Sequence, residues 1–116
     1  MSKTLLMSKK YLGKTVDVTF DRPFGSKHPK FGFLYEANYG FLPGTKAPDG
    51  EELDAYYLGV SESLKNATGK CIAIIHRLEN DDDKLIIVPD GVDLTDEQIE
   101  KQVSFQEKFF KHKIVR

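Results

Sequence analysis

The sequence predicts an α+β domain, mainly β, with a helix near its C-terminus, and three stretches carry that reading. From Thr15 to Phe20 apolar and polar residues alternate, with Val16, Val18 and Phe20 on one face and Thr15, Asp17 and Thr19 on the other. That period of two marks a half-buried strand. The apolar runs Cys71 to Ile75 and Leu85 to Val88 flank the acidic segment Glu79-Asn80-Asp81-Asp82-Asp83, so Lys70 to Leu78 and Lys84 to Pro89 read as a hairpin. Thr95 followed three residues later by Gln98 forms a capping box, and Asp96 and Glu97 suit the positive end of a helix dipole.

Before the first strand, Met1 to Lys14 reads as an irregular lead-in. After it, Asp21 to Lys30 holds two prolines and a glycine that break regular structure, while Arg22, Lys27, His28 and Lys30 concentrate positive charge in a loop able to hold an anion. The next segment, Phe31 to Phe41, is dense in rings. Phe33, Tyr35, Tyr39 and Phe41 are expected to face inward, because a domain without tryptophan needs large side chains to fill its core. Glu62 to Gly69 reads as a polar connection. In the C-terminal helix, Ile99, Val103, Gln106 and Phe110 share a stripe that Phe105 and Phe109 widen, and Lys108, Lys111 and Lys113 are expected to complement its negative end.

The length of 116 residues predicts one domain, 1–116, with a single core. Seventeen basic against 18 acidic residues leave a formal charge of −1, which gives no general pull toward nucleic acid, so an anion site must come from local clustering. The lone Cys71 excludes an internal disulfide and a multi-cysteine zinc site, and its apolar setting predicts a buried thiol. His76 and His112 lack a second histidine at ligand spacing and read as packing or surface residues. The N-terminal run Leu5-Leu6-Met7 is too short for a signal-peptide core or a membrane span, so a cytoplasmic location and no membrane partner are expected.

Chemistry concentrates at Asp49-Gly50-Glu51-Glu52-Leu53-Asp54, which gathers four carboxylates within six residues after the turn-rich Leu42 to Pro48. Alternation into a strand from Leu53 puts Asp54 and Glu52 on one face. Hard oxygen donors at such spacing suit Mg²⁺ or Mn²⁺. Taken alone, an acidic cluster of this kind is a solvated turn.

The run Tyr35 to Ala55, with Asn38-Tyr39-Gly40, Pro43-Gly44 and Asp49-Gly50-Glu51-Glu52-Leu53-Asp54, resembles the signature region of family I soluble inorganic pyrophosphatases. Asp82-Asp83-Lys84 before an apolar strand and Pro89, and the pair Phe109-Phe110, resemble later family features. The resemblance covers Val16 to about Lys113. It implies a small five-stranded β-barrel of the oligonucleotide-binding (OB) type with the C-terminal helix packed on it, and Mg²⁺-dependent hydrolysis of inorganic pyrophosphate, with Mn²⁺ as a possible substitute. By position it implies Asp49, Asp54 and Asp82 as metal ligands. Glu79 joins them when a two-residue deletion is placed in the turn. Glu51 takes the place of the acid that activates water, with Asp54 beside it in the catalytic set. Lys84 and Tyr39 fall on phosphate-binding positions, and Asp21 on an acidic position of the first strand.

Glu51 is one methylene longer than the family's aspartate, and the basic segment before Asn38 is shorter than is typical. Arg22, Lys27, His28 and Lys30 are expected to stand in for its cations, with Lys113 at the family's C-terminal Tyr-Lys pair. The expected partners are pyrophosphate or a related phosphoanhydride, with a homo-oligomer left open. The alternatives are another phosphoanhydride as substrate, or a weakly active or inactive homologue that binds nucleotide or single-stranded nucleic acid on its aromatic run.

Overall fold

A computed structural model describes residues 3–47, 50–79 and 82–116. Its elements are α1 (Lys3–Lys9), β1 (Thr15–Arg22), β2 (Asn38–Phe41), β3 (Asp54–Tyr57), β4 (Asn66–Arg77), β5 (Lys84–Val88), α2 (Asp96–Glu107) and β6 (His112–Val115). The strands hydrogen-bond in the order β1-β2-β3-β5-β4-β6, and β1 also pairs with β4. That second pairing closes five strands into a mixed barrel and leaves β6 on its edge, so a five-stranded OB-type barrel carrying a C-terminal helix is what the chain forms. All neighbours are antiparallel except β3 and β5, which run parallel with Asp54 opposite Lys84.

Two apolar clusters explain the closure. Val18, Phe20, Ala55, Tyr57, Cys71, Ile74, Leu85 and Ile87 come from four strands and meet inside the barrel, with Leu5 of α1 joining them. Tyr56, Ala73, Ile75, Ile86 and Val88 point the opposite way and pack under Ile99, Val103 and Phe105 of α2. β5 is therefore buried on both faces, which is why Lys84-Leu85-Ile86-Ile87-Val88 reads as one apolar run rather than an alternation. Gly40 lets β2 lie against β1: a Cβ there would stand 1.9 Å from the Thr19 carbonyl oxygen.

Four expectations need correction. The lead-in is not irregular, because Leu5 is apolar and buried and Thr4 and Ser8 are buried beside it on one face of helix α1. β1 runs on to Arg22. β4 starts at Asn66, since Asn66 to Lys70 pair with Thr19 to Thr15 of β1 despite their polarity. The last helix stops at Glu107, with Lys108 as its C-cap and no basic residue in its last turn. Residues 112–115 then pair with Arg77 to Ile74 of β4, so Phe110 lies outside the helical stripe. The capping box is present as read: Gln98 N–H donates to the Thr95 side chain, and the Thr95 N–H donates to the Gln98 side chain.

Candidate active site

Lys84 opens β5 at the end of the barrel where β3 also begins, and its side chain is 3% exposed. Its ammonium donates to Asp54 Oδ2 at 2.6 Å and to Asp82 Oδ1 at 2.8 Å. The parallel register of β3 and β5 sets Asp54 directly beside Lys84, and the hairpin turn brings Asp82 from the other side. Burial pushes the Lys84 ammonium down, but Tyr39, Asp54 and Asp82 outweigh it and hold the pKa above its ordinary value. Burial also raises the Tyr39 hydroxyl, so it stays protonated. Lys84 is thus a fixed cation and Tyr39 a fixed donor.

These groups line a cavity of about 780 Å³ together with Arg22, Arg77 and the rings of Tyr35, Phe33 and Phe109. Arg77, on the last position of β4, has its side chain 6% exposed. Its Nε and one terminal nitrogen donate to the two oxygens of Glu107, at 3.0 and 2.7 Å, and the other terminal nitrogen reaches Asp82 Oδ2 at 3.2 Å. Glu107 is fully buried at the end of α2 and accepts a further bond from the Tyr56 hydroxyl at 2.6 Å. Burial pushes the Glu107 carboxyl up, yet the hydrogen bonds and charge of Arg77 leave it below the ordinary range. The network continues from Gln106 to Tyr56, from Tyr35 to Gln106, and from Arg22 to Tyr35 at 3.0 Å.

Of the residues singled out in the sequence, Arg22, Tyr39, Asp54, Asp82 and Lys84 meet in the cavity, and His28 also lines it. Lys27 instead lines a separate hollow within its own loop, with Lys30. Glu51 is exposed in the turn before β3. Glu79 is exposed and pairs with Lys111 at 3.5 Å. Asp21 and Lys113 are exposed strand residues outside the cavity lining. Asp49 lies outside the described residues. Of the rings expected inside, Tyr35 is buried, while Phe33, Tyr39 and Phe41 are half-buried, because two of these three also face the cavity. His76 pairs with Asp83 at 3.0 Å. Cys71 is a buried free thiol raised to about 11 by burial.

Arg77, Glu107, Gln106 and Tyr56 were not singled out in the sequence as site residues. Gln106 on an otherwise apolar stripe was the available signal, since a polar residue placed there needs a buried partner.

Among the described residues no group of three or more His, Cys, Asp or Glu side chains forms a ready metal cage. The donor chemistry nevertheless fits Mg²⁺, which is commonly held by one or two carboxylates with water and substrate phosphate completing its shell. Asp54 and Asp82 are two such carboxylates on the cavity wall, each giving one oxygen to the Lys84 ammonium.

A small closed β-barrel with cations and carboxylates gathered at one end defines the architectural class of this chain. Within it, this chain belongs to the inorganic pyrophosphatase family, whose model matches residues 11–114. Among solved structures it is similar to the inorganic pyrophosphatase of Helicobacter pylori, with a TM-score of 0.68, 19% identity, and 88% of this chain and 84% of that one covered. It is also similar to that of Ehrlichia chaffeensis, with a TM-score of 0.66, 17% identity, and coverage of 88% and 85%. The enzyme of Thermus thermophilus aligns with a TM-score of 0.61, 20% identity, and coverage of 88% and 80%. At these identities the structures establish the fold. A search of curated proteins found no match. No helix among the described residues is long and apolar enough to cross a membrane.

Proposed function

We propose that the chain is an inorganic diphosphatase that hydrolyses pyrophosphate to two phosphates at the Asp54–Lys84–Asp82 end of the barrel, with Mg²⁺ as its metal. The observation that carries this is the buried Lys84 ammonium shared by Asp54 and Asp82 on the wall of a cavity that Arg22 and Tyr39 also line. Asp54 and Asp82 are the residues that hold the metal, joined by Asp49 and Glu79 on the family resemblance. When bound, the ion supplies charge neutralisation for phosphoryl oxygens and acidifies a water.

The chain's own groups do the rest. Glu51 takes the proton of the attacking water, its longer side chain folding back from the turn. Arg22, Tyr39 and Lys84, which line the cavity, donate to phosphoryl oxygens and hold them in place, and Lys27 adds its charge from the neighbouring loop. Lys84 and Tyr39 keep their protons across the neutral range, so both act as donors and neither serves as a base. The test is Mg²⁺-dependent phosphate release from pyrophosphate by the purified protein. Release no greater than that of Glu51→Ala would overturn the proposal.

One observation favours a second substrate. The cavity is of a size that holds organic ligands, and Phe31, Phe33 and Phe109 line it beside the charged end, so a phosphoanhydride carrying a planar group also fits. A panel of pyrophosphate, nucleoside diphosphates and nucleoside triphosphates separates the two by kcat/KM.

A further inference from the structure

We infer that Arg77 is a phosphate-binding residue of this cavity and that Glu107, buried on α2, is the positioning residue that aims it. The inference rests on the phosphoanhydride chemistry proposed above and adds a cation outside the basic loop and outside the Lys84 cluster. A guanidinium carries five N–H donors. Glu107 takes two of Arg77's and Asp82 one, and the other two have no partner among the described residues. Arg77 nevertheless lines the cavity while being almost wholly buried.

One face of the guanidinium is covered by the Phe110 ring, 3.7 Å from its central carbon, so its plane is fixed. A planar fork with its plane fixed and two donors left matches two oxygens of one phosphoryl group. Glu107 cannot itself contact a ligand from its fully buried position. Its two oxygens grip one side of the fork, and Tyr56 and Gln106 hold it from behind.

The same chain of bonds leads through Tyr35 to Arg22, so two arginines on the cavity wall are set by one buried network. Packing alone does not call for such a pair, because a buried ion pair is commonly replaceable by apolar residues without loss of stability. An arginine kept charged on the wall of an anion cavity has a use that a methionine would not.

The test is titration of the full chain with inorganic phosphate, read by NMR on the arginine side-chain N–H signals and by the dissociation constant. In the wild type, the Arg77 Nε–H signal is expected to shift along the same isotherm as the binding event. Arg77→Lys, which keeps the charge and loses the fork, is expected to weaken phosphate binding about tenfold or more. Glu107→Gln should weaken it in the same direction, and Arg77→Lys combined with Glu107→Gln should be no worse than Arg77→Lys alone. A wild-type Arg77 signal that stays put at saturating phosphate, or a folded Arg77→Lys with affinity within about twofold of wild type, overturns the inference. The wild-type signal decides the matter if the variants do not fold. Phosphate binding through Arg77 without pyrophosphate turnover would sink the proposed function and leave this inference standing. Turnover with a silent Arg77 would do the reverse.

Discussion

Burying Lys84 costs desolvation energy, and its position is tolerable because Asp54, Asp82 and Tyr39 surround it. Removing one partner therefore acts on stability and site together. Arg77 and Glu107 form the more deeply buried pair, and Arg77→Met alone, which strands the carboxylate, is expected to cost about 3–5 kcal/mol in urea unfolding. The pH dependence follows from the same pair. The Glu107 pKa is lower folded than unfolded, so its contribution is present above the unfolded value of about 4.3 and is lost as pH falls through the folded one. Acid unfolding curves of the wild type should steepen below about pH 4.3, and those of an Arg77→Met/Glu107→Leu protein should steepen less. Lys84 and Asp82 stand two residues apart and were legible in the sequence. The Arg77–Glu107 contact spans thirty positions and joins a strand to a helix, so no local pattern encodes it.

At the level of elements, local chemistry was readable and pairing was not. The capping box of α2 was visible because its donors and acceptors lie within one turn of chain, and Thr95→Ala is expected to cost about 0.5–2 kcal/mol by thermal or urea unfolding while leaving KM unchanged. β6 is not legible locally, because Lys108, Lys111 and Lys113 around it suit a helix end, whereas open positions on β4 decide the conformation of His112-Lys113-Ile114-Val115. Its tie to α2 is His112, whose ring nitrogen pairs with Glu100. Burial pushes that imidazole down, but the Phe110 carbonyl and Glu100 raise it above its ordinary value. The contribution is complete below about pH 6.5 and fades as pH rises through the folded pKa, so His112→Asn should flatten the stability profile across that window.

Across the whole molecule, closure of the barrel depends on β1 meeting both β2 and β4. Gly40 is a point where this is tight, and Gly40→Ala is expected to cost about 3 kcal/mol or more in denaturant unfolding, since a methyl would collide with backbone atoms of Thr19 and Phe20. The hairpin of β4 and β5 was apparent from its apolar runs. The parallel pairing of β3 with β5 was not, because it joins strands separated by all of β4, and the family resemblance stood in for that knowledge. That pairing is what carries Asp54 of the acidic stretch to Lys84 and Asp82 of the second one, turning two solvated-looking charge runs into one site.

The central claim is that this junction binds the metal and turns over pyrophosphate. Phosphate release measured against Mg²⁺ concentration for the wild type and for Asp54→Asn tests it most directly. The account predicts saturable, Mg²⁺-dependent release that falls about a hundredfold or more in the variant, with the Mg²⁺ requirement moved to higher concentration. Equal release from the two proteins, at the same Mg²⁺ requirement, would contradict it.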